Sequence, residues 1–189
     1  MDEDLINLEK SVLEAPVVWK GEYPYFVHPL TDGVPRLDSR ILNGVANLIY
    51  KMVNWDQIDV ILGIEAMGLP LSSLLSSKSG KPLVVARKRS YGLENEIIVD
   101  QSTGYSKGEI YLNDLNQGER VLIVDDVLST GGTMDAIITG INGSGAVIGK
   151  IIVVFEKGDG LSKVSEKHSV EIDSLVKIKM VEDKVTIVR

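Results

Sequence analysis

A chain of 189 residues with 44% hydrophobic side chains and a mean hydropathy of +0.10 can close one sizeable core, so a single ordered domain is expected rather than disorder. The net charge of −7 argues against adhesion to nucleic acid through a basic surface, and the absence of cysteine excludes disulfides and thiol catalysis. Residues 1–14 are acidic rather than basic then apolar, and no apolar run approaches the ~20 residues that span a bilayer; a soluble, cytoplasmic protein without membrane contact is expected.

Leu5, Leu8, Val12 and Leu13 recur at helical spacing, which predicts a short amphipathic helix over residues 2–14, stopped before Pro16. Residues 16–36 then hold four prolines, two glycines and the aromatic group Trp19, Tyr23, Tyr25, Phe26 and His28. That composition predicts an ordered non-helical hood whose rings, Tyr25 and Phe26 among them, could cover a flat heteroaromatic base; a surface flap with its own small cluster is the plainer reading. His28, beside a proline, is expected to be structural. Leu37, Ile41, Leu42, Val45, Leu48, Ile49 and Met52 share one face of a core helix over residues 38–53, with Asp38 as its N-cap.

Residues 58–64 form a buried strand that delivers Glu65-Ala66-Met67-Gly68 at its C-terminal end, where ligands of open α/β sheets collect. A helix over 69–77 ends at Ser79-Gly80. The strand Leu83–Ala86 runs into Arg87-Lys88-Arg89. Charge runs are ordinarily solvated edges, but these cations leave a strand at the ligand end of the sheet, and Arg87 and Lys88 are suited to phosphate oxygens. Between residues 90 and 112 two β-like runs, 96–99 and 109–112, predict a hairpin with a tip over 100–108 that is mobile when empty.

Residues 121–133 read as strand, loop, helix: four apolar residues, Asp125-Asp126, Val127-Leu128, then Ser129-Thr130-Gly131-Gly132-Thr133. A ribose carrying a 5′-phosphate gives each part a physical role. Backbone N–H groups from Ser129 to Thr133 can curl around a dianion because Gly131 and Gly132 lack Cβ, and the following helix presents its positive end. Asp125 and Asp126 then lie within reach of the vicinal ribose hydroxyls. Three rival readings fail. A receiver domain would begin its fold at the acidic pair, a nucleotide-hydrolase loop needs Gly-x-x-x-x-Gly-Lys-Ser/Thr, which is absent, and a plain helix-entry turn does not account for the whole pattern.

Ile137, Ile138 and Ile141 continue the helix to Asn142-Gly143-Ser144, a triplet that matches a glycosylation acceptor but reads here as a turn. A strand over 147–155 exits through Glu156-Lys157-Gly158, residues 161–169 are a polar connector with His168 and no metal-ligand spacing, and 175–180 with 185–188 form a closing hairpin. Strands alternating with helices predict an α/β fold with an open, mostly parallel sheet flanked by helices.

The stretch over 121–133 resembles the phosphoribosyl-pyrophosphate (PRPP) motif of type I phosphoribosyltransferases. Gly-Glu-Tyr-Pro-Tyr-Phe-Val-His-Pro, Ile-Glu-Ala-Met-Gly, Arg-Lys-Arg-Ser-Tyr-Gly-Leu-Glu and Thr-Gly-Tyr-Ser-Lys-Gly-Glu together look most like the archaeal-type hypoxanthine/guanine enzymes, a group close to the adenine and xanthine enzymes. The resemblance implies one phosphoribosyltransferase domain with a hood over 16–36 and a catalytic flexible loop over 88–112. It further implies purine salvage: transfer of the phosphoribosyl group of PRPP to hypoxanthine or guanine, giving IMP or GMP and pyrophosphate. Asp125 and Asp126 would hold the ribose and stabilise its developing positive charge, with Tyr105 and Ser106 closing over the reacting centre. Ser129, Thr130, Gly131, Gly132 and Thr133 would bind the 5′-phosphate, and Ala66, Met67, Gly68, Arg87, Lys88 and Lys107 the pyrophosphate. Tyr25, Phe26 and Phe155 would lie near the purine, and Lys157 would donate to a ring carbonyl oxygen. Mg²⁺ is implied as cofactor, held mainly through PRPP and only indirectly by Asp125 and Asp126. A homodimer is implied as well.

Three departures bear on specificity. Met67 stands where adenine enzymes commonly carry arginine, and Ser129 where the mammalian-type hypoxanthine-guanine enzymes carry a further aspartate. The loop glutamate of adenine enzymes has no counterpart, since Glu94, Glu96 and Glu109 are out of register. An adenine or xanthine transferase and a non-catalytic PRPP-sensing regulator are the alternatives; the short, acidic N-terminal segment does not suit the DNA-binding domain a regulator carries.

Overall fold

The computed structural model describes residues 2–21, 23–102 and 107–189, the side chains of Lys20, Tyr23, Ser102 and Lys107 excepted. Its centre is a six-stranded sheet of β3 (Val60–Ile64), β4 (Leu83–Ala86), β7 (Arg120–Leu128), β8 (Val147–Lys157), β9 (Asp173–Val181) and β10 (Lys184–Ile187). The strand order is β10-β9-β8-β7-β3-β4, and every pairing is parallel except β10 with β9. The open, mostly parallel α/β sheet expected from the alternating pattern is therefore present. All five residues of β3 are buried, as befits a strand covered on both faces.

One face is covered by α1 (Glu3–Leu13), α3 (Ser39–Met52) and α4 (Gly68–Ser79), whose Leu8, Val12, Val45, Ile49, Leu71 and Leu75 pack on Ile61, Leu122 and Val124. Asp38 caps α3 by accepting the Arg40 N–H at 2.8 Å, the role its position predicts. A Cβ on Gly63 would lie 2.1 Å from the Ser72 hydroxyl, so α4 approaches β3 to a distance only glycine permits. The other face is covered by α5 (Gly132–Ser144), by α6 (Gly160–His168) and by a hairpin of β5 (Ile97–Ser102) and β6 (Lys107–Leu112). The base of that hairpin is part of the core, with Ile110 and Leu112 buried against α5. Its tip, with Tyr105 and Ser106, lies outside the described residues, as does the Lys107 side chain.

Three expectations are corrected. The polar connector over 161–169 is helix α6, anchored on its apolar side by buried Val164 and partly buried Leu161, and by a bond of the His168 ring to Asp135 on α5 at 2.6 Å. The hood is not wholly non-helical: after β1 (Val17–Lys20) and β2 (Tyr23–Phe26) comes a short helix, α2 (Pro29–Asp32). His28 caps it by accepting the Leu30 N–H, Pro29 presets its first turn, and Gly33 ends it at φ +70°. Finally, β7 does not stop before Asp125. Its ladder with β8 continues through Val127 to Phe155 and Leu128 to Glu156, which places the acidic pair within the strand. Among the described residues no helix is long and apolar enough to cross a membrane.

Candidate active site

The C-terminal ends of β3, β4 and β7 meet in a cleft of about 280 Å³. Asp125 and Asp126 form its inner wall, each 8% exposed and hydrogen-bonded to one another. Burial raises the pKa of both above the carboxylate range, and the charge of Asp125 pushes Asp126 further in the same direction. Two carboxylates this close cannot both ionise cheaply without a ligand. The Lys88 ammonium, on the rim, offsets part of the cost at Asp125.

The loop after β3 supplies the opposite wall with Glu65, Ala66 and Met67. The Glu65–Ala66 peptide bond is cis. Gly68 is required where it stands, because a Cβ there would lie 2.9 Å from the Val124 carbonyl oxygen and 3.0 Å from an Asp125 carboxylate oxygen. Glu65 accepts the Lys88 N–H at 3.2 Å and faces Arg87 Nε at 3.4 Å. Arg87 also donates to the Tyr91 hydroxyl at 2.9 Å. Of the two predicted cations, then, Lys88 lines the cleft and Arg87 is turned toward Glu65 and Tyr91.

The predicted phosphate cradle lies at the N-terminus of α5. Gly131 takes the left-handed conformation, φ +86°, and its carbonyl accepts the Asp135 N–H at 2.8 Å as the helix begins. Ser129, Thr130 and Gly132 complete the turn, with Thr133 reaching the cleft. α6 presses on this turn from outside: Gly160 N–H donates to the Ser129 carbonyl at 3.1 Å, and a Cβ on Gly131 would lie 2.6 Å from a Val164 methyl. A positive helix end beside a buried acidic pair suits a ligand whose phosphate and hydroxyl groups are a few ångströms apart.

The hood residues divide. Phe155 is fully buried and packs edge-on against Phe26, ring centres 5.8 Å apart, and against His28 at 5.2 Å. Phe26 is itself 4% exposed. The resemblance and the ring chemistry place both near a purine ring; in the structure the two rings pack on one another in the core beneath the hood. Tyr25 donates to Asp32 at 2.7 Å. Lys157 donates to the Pro24 carbonyl at 2.9 Å, joining the end of β8 to the hood.

Residues that sequence reasoning passed over also line the cleft: Thr31, Glu65, Val127 and Gln101. Glu65 stood inside a quoted motif and Thr31 inside the hood, whereas nothing in the local sequence marks Gln101. Among the described residues no group of three or more metal-ligating side chains occurs. Two carboxylates facing one cleft suit a hydrated Mg²⁺ that takes most of its ligands from a polyphosphate.

The phosphoribosyl transferase domain family matches residues 36–185 of the chain. A hypoxanthine/guanine phosphoribosyltransferase of Methanothermococcus okinawensis is 51% identical over 180 residues, covering 95% of this chain and 98% of the relative. One from Aciduliprofundum boonei is 46% identical over 180 residues, covering 95% and 97%. Among solved structures, an adenine phosphoribosyltransferase from Thermoanaerobacter pseudethanolicus superposes with a TM-score of 0.75 at 23% identity, over 92% of this chain and 99% of the other. That of Trypanosoma brucei, solved with AMP, pyrophosphate and ribose-5-phosphate, gives a TM-score of 0.74 at 18% identity over 93% and 80%. At these identities the structures share the fold.

Proposed function

The chain belongs to the phosphoribosyl transferase family, and we propose that it transfers the 5-phosphoribosyl group of PRPP to hypoxanthine or guanine, a purine-salvage reaction. The observation that carries this reading is the buried Asp125–Asp126 pair set directly before the glycine turn that opens α5. The α5 N-terminus and the Ser129, Thr130 and Thr133 hydroxyls hold the 5′-phosphate. The acidic pair takes up the ribose hydroxyls, and the backbone of Ala66, Met67 and Gly68 with Lys88 lies against the pyrophosphate.

In the reaction the C1–oxygen bond to pyrophosphate breaks with its electron pair leaving on that oxygen, the C1–N9 bond forms, and the base gives up its ring proton. The ribose ring becomes cationic as the bond loosens, and fixed carboxylates in a poorly solvated wall stabilise that charge without reorganising. Mg²⁺, when bound through PRPP, makes pyrophosphate a better leaving group. The ammonium of Lys157 is a donor suited to the carbonyl oxygen of a 6-oxopurine, whereas adenine presents a donor of its own there. Supporting this choice of base are the relatives at 46% and 51% identity, both hypoxanthine/guanine enzymes. By the resemblance the enzyme works as a cytoplasmic homodimer. Product analysis tests the reading: IMP from hypoxanthine and GMP from guanine, each with one equivalent of pyrophosphate, are expected. Release of ribose 5-phosphate without nucleotide would refute it.

A further inference from the structure

The inner face of β5 carries Ile97, Val99 and Gln101 in alternation. Ile97 and Val99 pack against α5 where Gly140 leaves room: a Cβ there would lie 2.6 Å from Leu112 Cδ1 and 3.2 Å from Val99 Cγ1. Gly140 thus lets β5 and β6 seat closely against α5, and the next inward residue of β5 comes beside the first turn of that helix. An apolar stripe on a packed strand ordinarily continues with another apolar residue. Here it ends in an amide, and Gln101 Nε2 donates to the Thr133 hydroxyl in the first turn of α5. Gln101 and Thr133 both line the cleft.

A threonine hydroxyl has one proton to give and two lone pairs to receive with. With the Gln101 N–H on one lone pair, the Thr133 hydroxyl keeps its own proton to give to a phosphate oxygen at the α5 N-terminus. We propose that Gln101 is a positioning residue for the 5′-phosphate: it orients the Thr133 hydroxyl as a donor and ties the seating of the hairpin to occupancy of the phosphate turn. The inference rests on the PRPP reading above. It makes the hairpin base part of the binding site, so that PRPP bound in the cradle strengthens the same contact that holds β5 against α5.

The test is steady-state kinetics with PRPP and hypoxanthine on the full chain and five variants. Gln101→Met keeps the length of the side chain and removes the donor. Its KM for PRPP should rise about tenfold, as expected for a lost hydrogen bond feeding a charged acceptor, with kcat within about twofold and the hypoxanthine KM unchanged. Gln101→Glu sets a carboxylate facing the phosphate and should raise the PRPP KM by about a hundredfold. Thr133→Ala should remove the benefit of Gln101, so the Thr133→Ala/Gln101→Met double variant should be no worse than Thr133→Ala alone. Val99→Ala loosens the same strand without touching the cradle; because strand seating and phosphate occupancy are linked, it should lower the melting temperature and raise the PRPP KM by less than Gln101→Met does. A folded Gln101→Met protein with the wild-type PRPP KM, or additive effects in the double variant, would overturn the inference. A wild-type protein that makes no nucleotide from PRPP would instead overturn the reading beneath it.

Discussion

A methyl group added to Gly160 would lie 2.1 Å from the Ser129 carbonyl oxygen, because the first residue of α6 is pressed against the turn that opens α5. The contact joins a helix with no residue in the cleft to the loop that holds the phosphate. α6 is fixed at its other end by His168 and Lys167, which both reach Asp135 on α5. The turn is thus braced from behind, and its geometry depends on a residue outside the motif.

Gly160→Ala is therefore expected to act on binding. Relieving the overlap shifts the Ser129–Gly131 backbone, the KM for PRPP rises by about tenfold or more, and the hypoxanthine KM changes little. Stability should fall by about 1–3 kcal/mol, as in other overpacked sites. Kinetics at varied PRPP, together with thermal unfolding, check both parts.

The Asp125–Asp126 pair is expected to cost stability. Both folded-state pKa values are raised above 3.8, so near that pH the folded protein holds more protons than the unfolded chain. Stability falls as pH rises through the window above 3.8 and stays reduced at neutral pH. Asp125→Asn removes the ionisation and should raise the unfolding free energy at pH 7 by on the order of 1 kcal/mol while reducing turnover about a hundredfold. Denaturant titration beside an activity assay reads both effects.

His28 should act in the opposite sense. Its Nδ1 accepts the Leu30 N–H, so the ring proton sits on Nε2 and faces the Ser11 hydroxyl at 3.0 Å, which itself donates to the Leu8 carbonyl. Burial lowers its pKa from 6.5 to about 4. The unfolded chain takes up the proton first as pH falls, so this contribution is intact above 6.5 and is lost on descending toward 4, roughly 3 kcal/mol in all. His28→Asn keeps an N-cap acceptor without the titration. The difference in unfolding free energy between wild type and this variant should shrink by roughly 3 kcal/mol from pH 7 to pH 4.

Lys157 bears on the choice of base. Lys157→Met should reduce kcat/KM for hypoxanthine and guanine by about 10–100-fold, the range for a lost charged donor, with a smaller effect on the PRPP KM. Because Lys157 also holds the Pro24 carbonyl, a modest loss of thermal stability should accompany it.

The fold and half of the site were legible where period and chemistry coincide. Apolar runs ending in Asp-Asp, Ala-Met-Gly and Arg-Lys gave both the strands and what their ends present. α6 was not legible because Leu-Ser-Lys-Val-Ser-Glu-Lys-His buries only Val164 and the Gly160 backbone, too narrow a stripe to show a helical period. Ring chemistry points Phe26 at a flat base and the family resemblance points Phe155 there, but neither signal shows that the two rings are buried against one another, a matter of how the hood packs on the end of β8. Gln101 was invisible because its role depends on where α5 crosses β5, a tertiary fact set by Gly140 some forty positions downstream.

On the proposed function, the acidic pair beside the α5 turn holds the ribose of PRPP during transfer to a 6-oxopurine. Nucleotide formation from PRPP and Mg²⁺, followed spectrophotometrically with hypoxanthine, guanine, adenine and xanthine in turn for wild type and Asp126→Asn, tests it most directly. IMP and GMP from the wild-type protein, much slower use of adenine, and at least a hundredfold loss in the variant, roughly the value of one preorganised charge at a transition state, are expected. Preferential use of adenine, no product from any purine, or an Asp126→Asn protein as active as wild type would contradict it.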